Sequence, residues 1–179
     1  ISMYKSIIIL IGVLFVSSCE TKPTLQKYYV KNIESADFVS VDLAPSVINT
    51  QNLKLTSAEK EALASFDKMN ILAYKTDSTH TEKFDQEITE VKALLKDDSY
   101  QQLMKVGSGS DGAAVYFVGD EAHINEFVVL ASKKENGFAV VRVLGNDMNP
   151  THVLNMLQLL KKSDMKLEQL KPLQDLMKK

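Results

Sequence analysis

Four strand-like runs follow one another at 101–106, 113–118, 126–133 and 138–144, separated only by the turn-rich stretches 107–112, 119–125 and 134–137. Connections this short cannot carry a crossover, so the runs must pair as an antiparallel meander. Asn136-Gly137 sharpens the reading, because both residues tolerate the positive φ of a tight hairpin. Two of the runs are apolar on both faces: Phe127-Val128-Val129-Leu130-Ala131 and Phe138-Ala139-Val140-Val141-Arg142-Val143-Leu144. A sheet with one wet face should alternate, so a second cover is implied. The candidates are the segment 25–33, a leucine-rich C-terminal segment, a second copy, or a partner or lipid, with cover from within the chain the first expectation. Arg142 stands alone in its run. It either snorkels at a sheet edge or marks a surface contact.

The rest of the chain supplies two earlier strands and several helices. Residues 38–43 (FVSVDL) alternate as a strand, and 70–75 (NILAYK) read as another. Thr56-Ser57-Ala58-Glu59 is a capping box that opens a helix with Ala62, Leu63 and Phe66 on one side. Over 81–97 the residues Phe84, Ile88, Val91, Leu94 and Leu95 form one apolar stripe at helical spacing. Asn149-Pro150 supplies a cap and a first-turn proline for a helix to about residue 162. In 164–179, Leu167, Leu170, Leu173 and Leu176 recur every third residue, and Pro172 implies two short turns or a kink. The expected class is α+β: one largely antiparallel sheet, a four-strand meander plus two N-terminal strands, with helices packed on one face.

The N-terminus reads as an address. Met3 is the expected translation start, and Lys5 precedes the apolar run 7–16 (IIILIGVLFV). That run is shorter than the roughly 20 residues needed to span a bilayer and suits a signal-peptide core. It ends in Val16-Ser17-Ser18-Cys19, which resembles a bacterial lipobox: a branched apolar residue, two small ones, then a thiol to accept a diacylglyceryl group. The chain has one Cys, and it falls where the apolar run stops. The expected organisation is a signal peptide over 1–18, a lipidated N-terminus and tether over 19–35, and a single α+β domain over 36–179. The rival readings are a cleaved soluble secretory protein with an incidental Cys and an uncleaved anchor.

No chemistry stands out. With 21 basic and 23 acidic residues and a net charge of −2, the chain lacks the electrostatic footprint of a nucleic-acid binder. Gly107-Ser108-Gly109-Ser110-Asp111-Gly112 matches G-x-G-x-x-G, but a strand follows the glycines instead of a helix, so a hairpin loop explains it. His80, His123 and His152 have no partner at metal-ligand spacing, and the acidic turns at 97–98 and 120–121 lack the alternating oxygens of a calcium loop. No nucleophile elbow is present. The expectation is no catalytic, cofactor or metal site.

The succession NILAYK, an acidic-basic helix, QQLMKV, AAVYFV, INEFVVLASKK and GFAVVRVLGN, followed by a leucine-rich helix, is similar to the Bacteroidetes envelope proteins grouped as domain of unknown function 4252. The resemblance covers most of the chain after Cys19 and implies a signal peptide or lipobox, but no activity and no site residues. Relatives encoded near sigma factors hint at envelope signalling. Asn149-Pro150 and the longer helix after Gly145 depart from the pattern. The functional expectation is a non-enzymatic, lipid-anchored binding module of the outer membrane facing the periplasm, taking a protein partner or associating with itself. A sigma-factor stress circuit and a small periplasmic hydrolase are the alternatives.

Overall fold

A computed structural model describes residues 22–76 and 81–162. In chain order the elements are α1 (Leu25–Asn32), β1 (Phe38–Leu43), a 3-10 turn (Pro45–Val47), α2 (Ser57–Ser65), β2 (Phe66–Lys75), α3 (Thr81–Leu94), β3 (Gln101–Ser108), β4 (Asp111–Asp120), β5 (His123–Lys133), β6 (Gly137–Met148) and α4 (Pro150–Lys162). The strands form one six-stranded sheet in the order β1-β2-β6-β5-β4-β3, and every neighbouring pair is antiparallel. The expected class therefore holds, with the meander β3 to β6 and the two N-terminal strands continuing the sheet beyond β6.

Local chemistry sets the elements. Thr56 accepts a hydrogen bond from the Glu59 backbone N–H while the Glu59 carboxylate accepts from the Thr56 N–H at 2.9 Å, closing the expected capping box. Asn149 caps α4 by accepting from the His152 N–H at 2.9 Å. The β3–β4 turn has Gly109 at φ 62 with Ser110 outside the positive-φ residues, the pattern of a two-residue hairpin loop with glycine first. At Gly137 (φ 120) the chain passes so close to β2 that an added Cβ would lie 1.9 Å from the Tyr74 carbonyl oxygen.

Period-two alternation splits the core into two layers. Even-numbered residues of β2 and β6 (Leu72, Tyr74, Phe138, Val140), with Val128 and Leu130 of β5, pack against Leu25, Tyr28 and Tyr29 of α1 and Phe84, Ile88 and Val91 of α3. The odd-numbered Met69, Ile71, Phe127 and Val143 pack on the opposite face with Met156 of α4 and, half-buried, Leu63 of α2 and Val153 of α4. The expectation of helices on one face is thus corrected: α1 and α3 take the first face, α2 and α4 the second. The reason is in the strands themselves, since a ladder apolar on both sides loses water from both.

The domain also starts earlier than expected. Leu25, Tyr28 and Tyr29, placed in the tether by sequence, are at most 5% exposed. Thr24 caps α1 by accepting from the Lys27 N–H, and the Tyr28 hydroxyl donates to Glu87 of α3 at 2.7 Å. The polar residues of 22–27 hide an amphipathic turn whose few apolar positions face the sheet. Cys19 and its lipobox residues Val16, Ser17 and Ser18, His80, and the leucine-spaced segment 164–179 lie outside the described residues.

Candidate functional site

Arg142 is the first residue to locate. It is not a surface contact: it is 5% exposed, on the face covered by α1. Its Nε and Nη2 donate to the two carboxylate oxygens of Glu126 at 2.6 and 3.1 Å, and Nη1 donates to Gln26. The guanidinium carbon lies 5.3 Å from the centre of the Tyr29 ring. Burial disfavours the charge on Arg142, but the hydrogen bonds and charge of Glu126 outweigh it, so the guanidinium is held above its usual pKa. All three guanidinium nitrogens thereby donate a hydrogen bond, and the pair is a packed element of the core. The clue in the sequence is a lone acid (Glu126) and a lone base (Arg142) of like parity on adjacent apolar strands.

The two described histidines hold separate partners. His123 is exposed, with Nδ1 3.0 Å from Asp147. His152 sits at the start of α4 with Nε2 3.2 Å from the Asn149 amide, and its Nδ1 is buried without a partner beside a cavity of about 10 Å³. Asp120 is spent on its own turn, accepting from the Ala122 and His123 N–H groups at 3.0 Å. Among the described residues no group of three or more His, Cys, Asp or Glu could hold a metal ion. No helix among them is long and apolar enough to cross a membrane.

Among the described residues two open surfaces stand out on opposite faces of the sheet, one beside β3 and β4 and the other over β2, β6 and β5. On the first face a cleft of about 560 Å³ lies between the C-terminal half of α3 and the β3–β4 hairpin. Lys92, Lys96 and Lys105 line it together with Tyr100, Tyr116 and the glycines at 107, 109 and 112. Lys92 Nζ donates to the Gly109 carbonyl at 3.1 Å and so pins the hairpin tip to α3. Burial and the nearby Glu126 charge push the Tyr100 hydroxyl up to about 12, so it stays a neutral donor. The acids at the rim are Asp97, paired with Lys22, Asp111, which accepts from the Lys134 N–H at 2.8 Å, and Asp98. The glycines that imitate a dinucleotide fingerprint thus form one wall of the cleft, with no helix N-terminus behind them.

On the second face, register builds three rows across the strands. The row under α2 and α4 contains Met69, Val143, Phe127 and Phe117, all buried. The next contains Ile71, Val141, Val129, Val115 and Met104. The third is Ala73, Ala139, Ala131, Ala113 and Val106. Four alanines abreast leave the sheet surface low, and a shallow apolar groove of about 410 Å³ follows, with Ala131 exposed. Among the described residues the cover that the apolar strands demanded is therefore half supplied, and it stops at the middle row.

The family comparison covers most of the described residues. A model of the domain of unknown function DUF4252 matches residues 28–156, from the middle of α1 to the middle of α4. The chain belongs to the DUF4252 family. No curated protein and no solved structure matches it. The DUF4252 match takes in both core layers apart from Leu25, the Arg142–Glu126 pair and both open surfaces.

Proposed function

We propose that this DUF4252 domain is a non-enzymatic binding module, carried on a lipid at Cys19 and facing the periplasm from the outer membrane. The observation that supports the binding role best is the groove floored by Ala73, Ala139 and Ala131, an apolar surface that α2 and α4 leave open. Removing such a surface from water contributes about 25 cal/mol per Å², which makes it a natural docking site. The anchor rests on the position of the one Cys, set off by Ser17 and Ser18 from a signal-type apolar run. Acyl chains contribute about 0.8 kcal/mol per buried CH₂, so two or three of them would hold the module on the bilayer.

A photo-crosslinking residue at position 131, compared with one at the exposed position 51, tests the binding role in native membranes. Capture of a second protein at 131 and not at 51 supports it. Crosslinking only to residues 164–179 of the same chain would make the groove an internal packing surface and overturn it. Cys19→Ala tests the anchor separately: the protein should move from the membrane to the soluble fraction.

A further inference from the structure

The strand β3 is, among the described residues, an open sheet edge. Among the described residues its one neighbour is β4, and all eight of its residues are exposed, including Leu103 (46%), Met104 (52%) and Val106 (53%). An edge like this offers a row of unpaired backbone donors and acceptors to any extended chain. Its side chains specify which chain. The register shift between Gln102 and Met104 leaves Leu103 as the bulge, so Met104 and Val106 continue the apolar rows of the second face. Lys105, opposite Ala114, projects to the first face and lines the cleft there.

A second copy is a poor occupant. Residues directly opposite in an antiparallel pair share a face. The antiparallel registers that keep Met104 and Val106 of both copies on the apolar face set Lys105 either directly opposite its own equivalent or diagonally across from it, within reach of a long side chain, and like charges so placed repel. Among the described residues Lys105 has no carboxylate within ion-pair distance, and Lys96 in the same cleft has none either. The acids nearby are committed to Lys22 and to the Lys134 N–H, apart from Asp98.

We propose that β3 receives an extended segment of a different polypeptide as a seventh strand, selected by an apolar–acidic–apolar triplet set opposite Met104, Lys105 and Val106. The proposal rests on the binding-module reading and names its partner chemistry. The acid fills the position where self-pairing fails, and the flanking apolar residues extend the rows that end at Met104 and Val106.

The test uses the full chain and two synthetic seven-residue peptides that alternate valine with polar residues, one with glutamate at the centre and one with lysine. Fluorescence anisotropy should show the glutamate peptide binding about five- to tenfold more tightly, the scale of one cross-strand charge reversal. Lys105→Glu should invert the preference and Lys105→Gln should erase it. Lys105 is exposed, so both variants keep the far-UV circular dichroism of the parent. Sedimentation should show that β3 does not pair with itself in the parent, and that Lys105→Thr creates a self-associating species. The proposal is overturned if neither peptide binds, if Lys105→Glu leaves the preference unchanged, or if the parent sediments as a dimer joined through β3. Loss of peptide binding alongside capture at position 131 would remove this proposal and leave the binding-module reading standing.

Discussion

Changing Glu126 to Gln should strand a cation in the core. Arg142 keeps its place because its side chain, 6% exposed, gives two hydrogen bonds to a carboxylate that is itself 12% exposed. Breaking a buried ion pair from one side costs about 3–5 kcal/mol, since the remaining charge keeps its desolvation penalty. The new amide oxygen at position 126 would still accept one hydrogen bond, and the Tyr29 ring still offers about 0.5–2 kcal/mol of cation–π attraction, so the low end is expected, about 3 kcal/mol. Urea unfolding followed by circular dichroism would read this as a midpoint lowered by about 1.5 M, taking a slope of about 2 kcal/mol per M. The paired replacement Glu126→Leu with Arg142→Met removes both charges and should return to within about 1 kcal/mol of the parent. A Glu126→Gln midpoint within about 0.5 M of the parent would refute the reasoning, by showing that the guanidinium reaches water or a second acceptor in the folded state.

Other outcomes follow from the same geometry. Gly137→Ala should destabilise by at least about 2 kcal/mol in thermal or urea unfolding, because φ 120 and the Tyr74 carbonyl 1.9 Å from the new Cβ leave no relaxed arrangement. Phe84→Ala, which empties a fully buried ring position between α3 and the sheet, should cost about 3–5 kcal/mol by the same measurement. Burial raises the Tyr28, Tyr29 and Tyr100 hydroxyls, with Glu87 adding to the effect at Tyr28. A folded pKa above the unfolded value gives stability that is complete below about pH 10 and lost as pH rises further. Phenolate absorbance at about pH 11 should therefore stay low for these three until the chain unfolds. The Asp97 carboxyl is held well below the usual carboxylate range by the Lys22 ammonium first and the Ser99 hydroxyl next. That contribution is present above the ordinary value of about 4 and fades as pH falls below it. An NMR titration should show the Asp97 carbon shifting at unusually low pH, and Lys22→Ala should move it back toward the ordinary range.

Much of this architecture is written locally. The meander was legible because its connections are too short for anything else, and α3 because Phe84, Ile88, Val91 and Leu94 repeat at helical spacing. The caps at Thr56 and Asn149 and the hairpin at Gly137 depend on residues within four positions of one another. Two features were not legible in this way. The helix α1 carries too few apolar residues to announce itself, and its burial follows from an open sheet face waiting above it. Arg142 read as a surface residue because its partner, Glu126, is sixteen positions away and meets it only when β5 and β6 pair.

Sequence alone determined that the one Cys stands three positions after the end of a ten-residue apolar run, that the meander is antiparallel, and that both faces of β5 and β6 must lose contact with water. Those follow from neighbour chemistry and from a period of two, which need no knowledge of the rest of the chain. Tertiary structure decided how far that demand is met. Strand register lined up Ala73, Ala139, Ala131 and Ala113 across four strands, and α2 and α4 end short of that row. Register also put Lys105 on the opposite face from Met104 and Val106 at the open edge. Such alignments are set by pairing distances between strands, a quantity that no single segment carries.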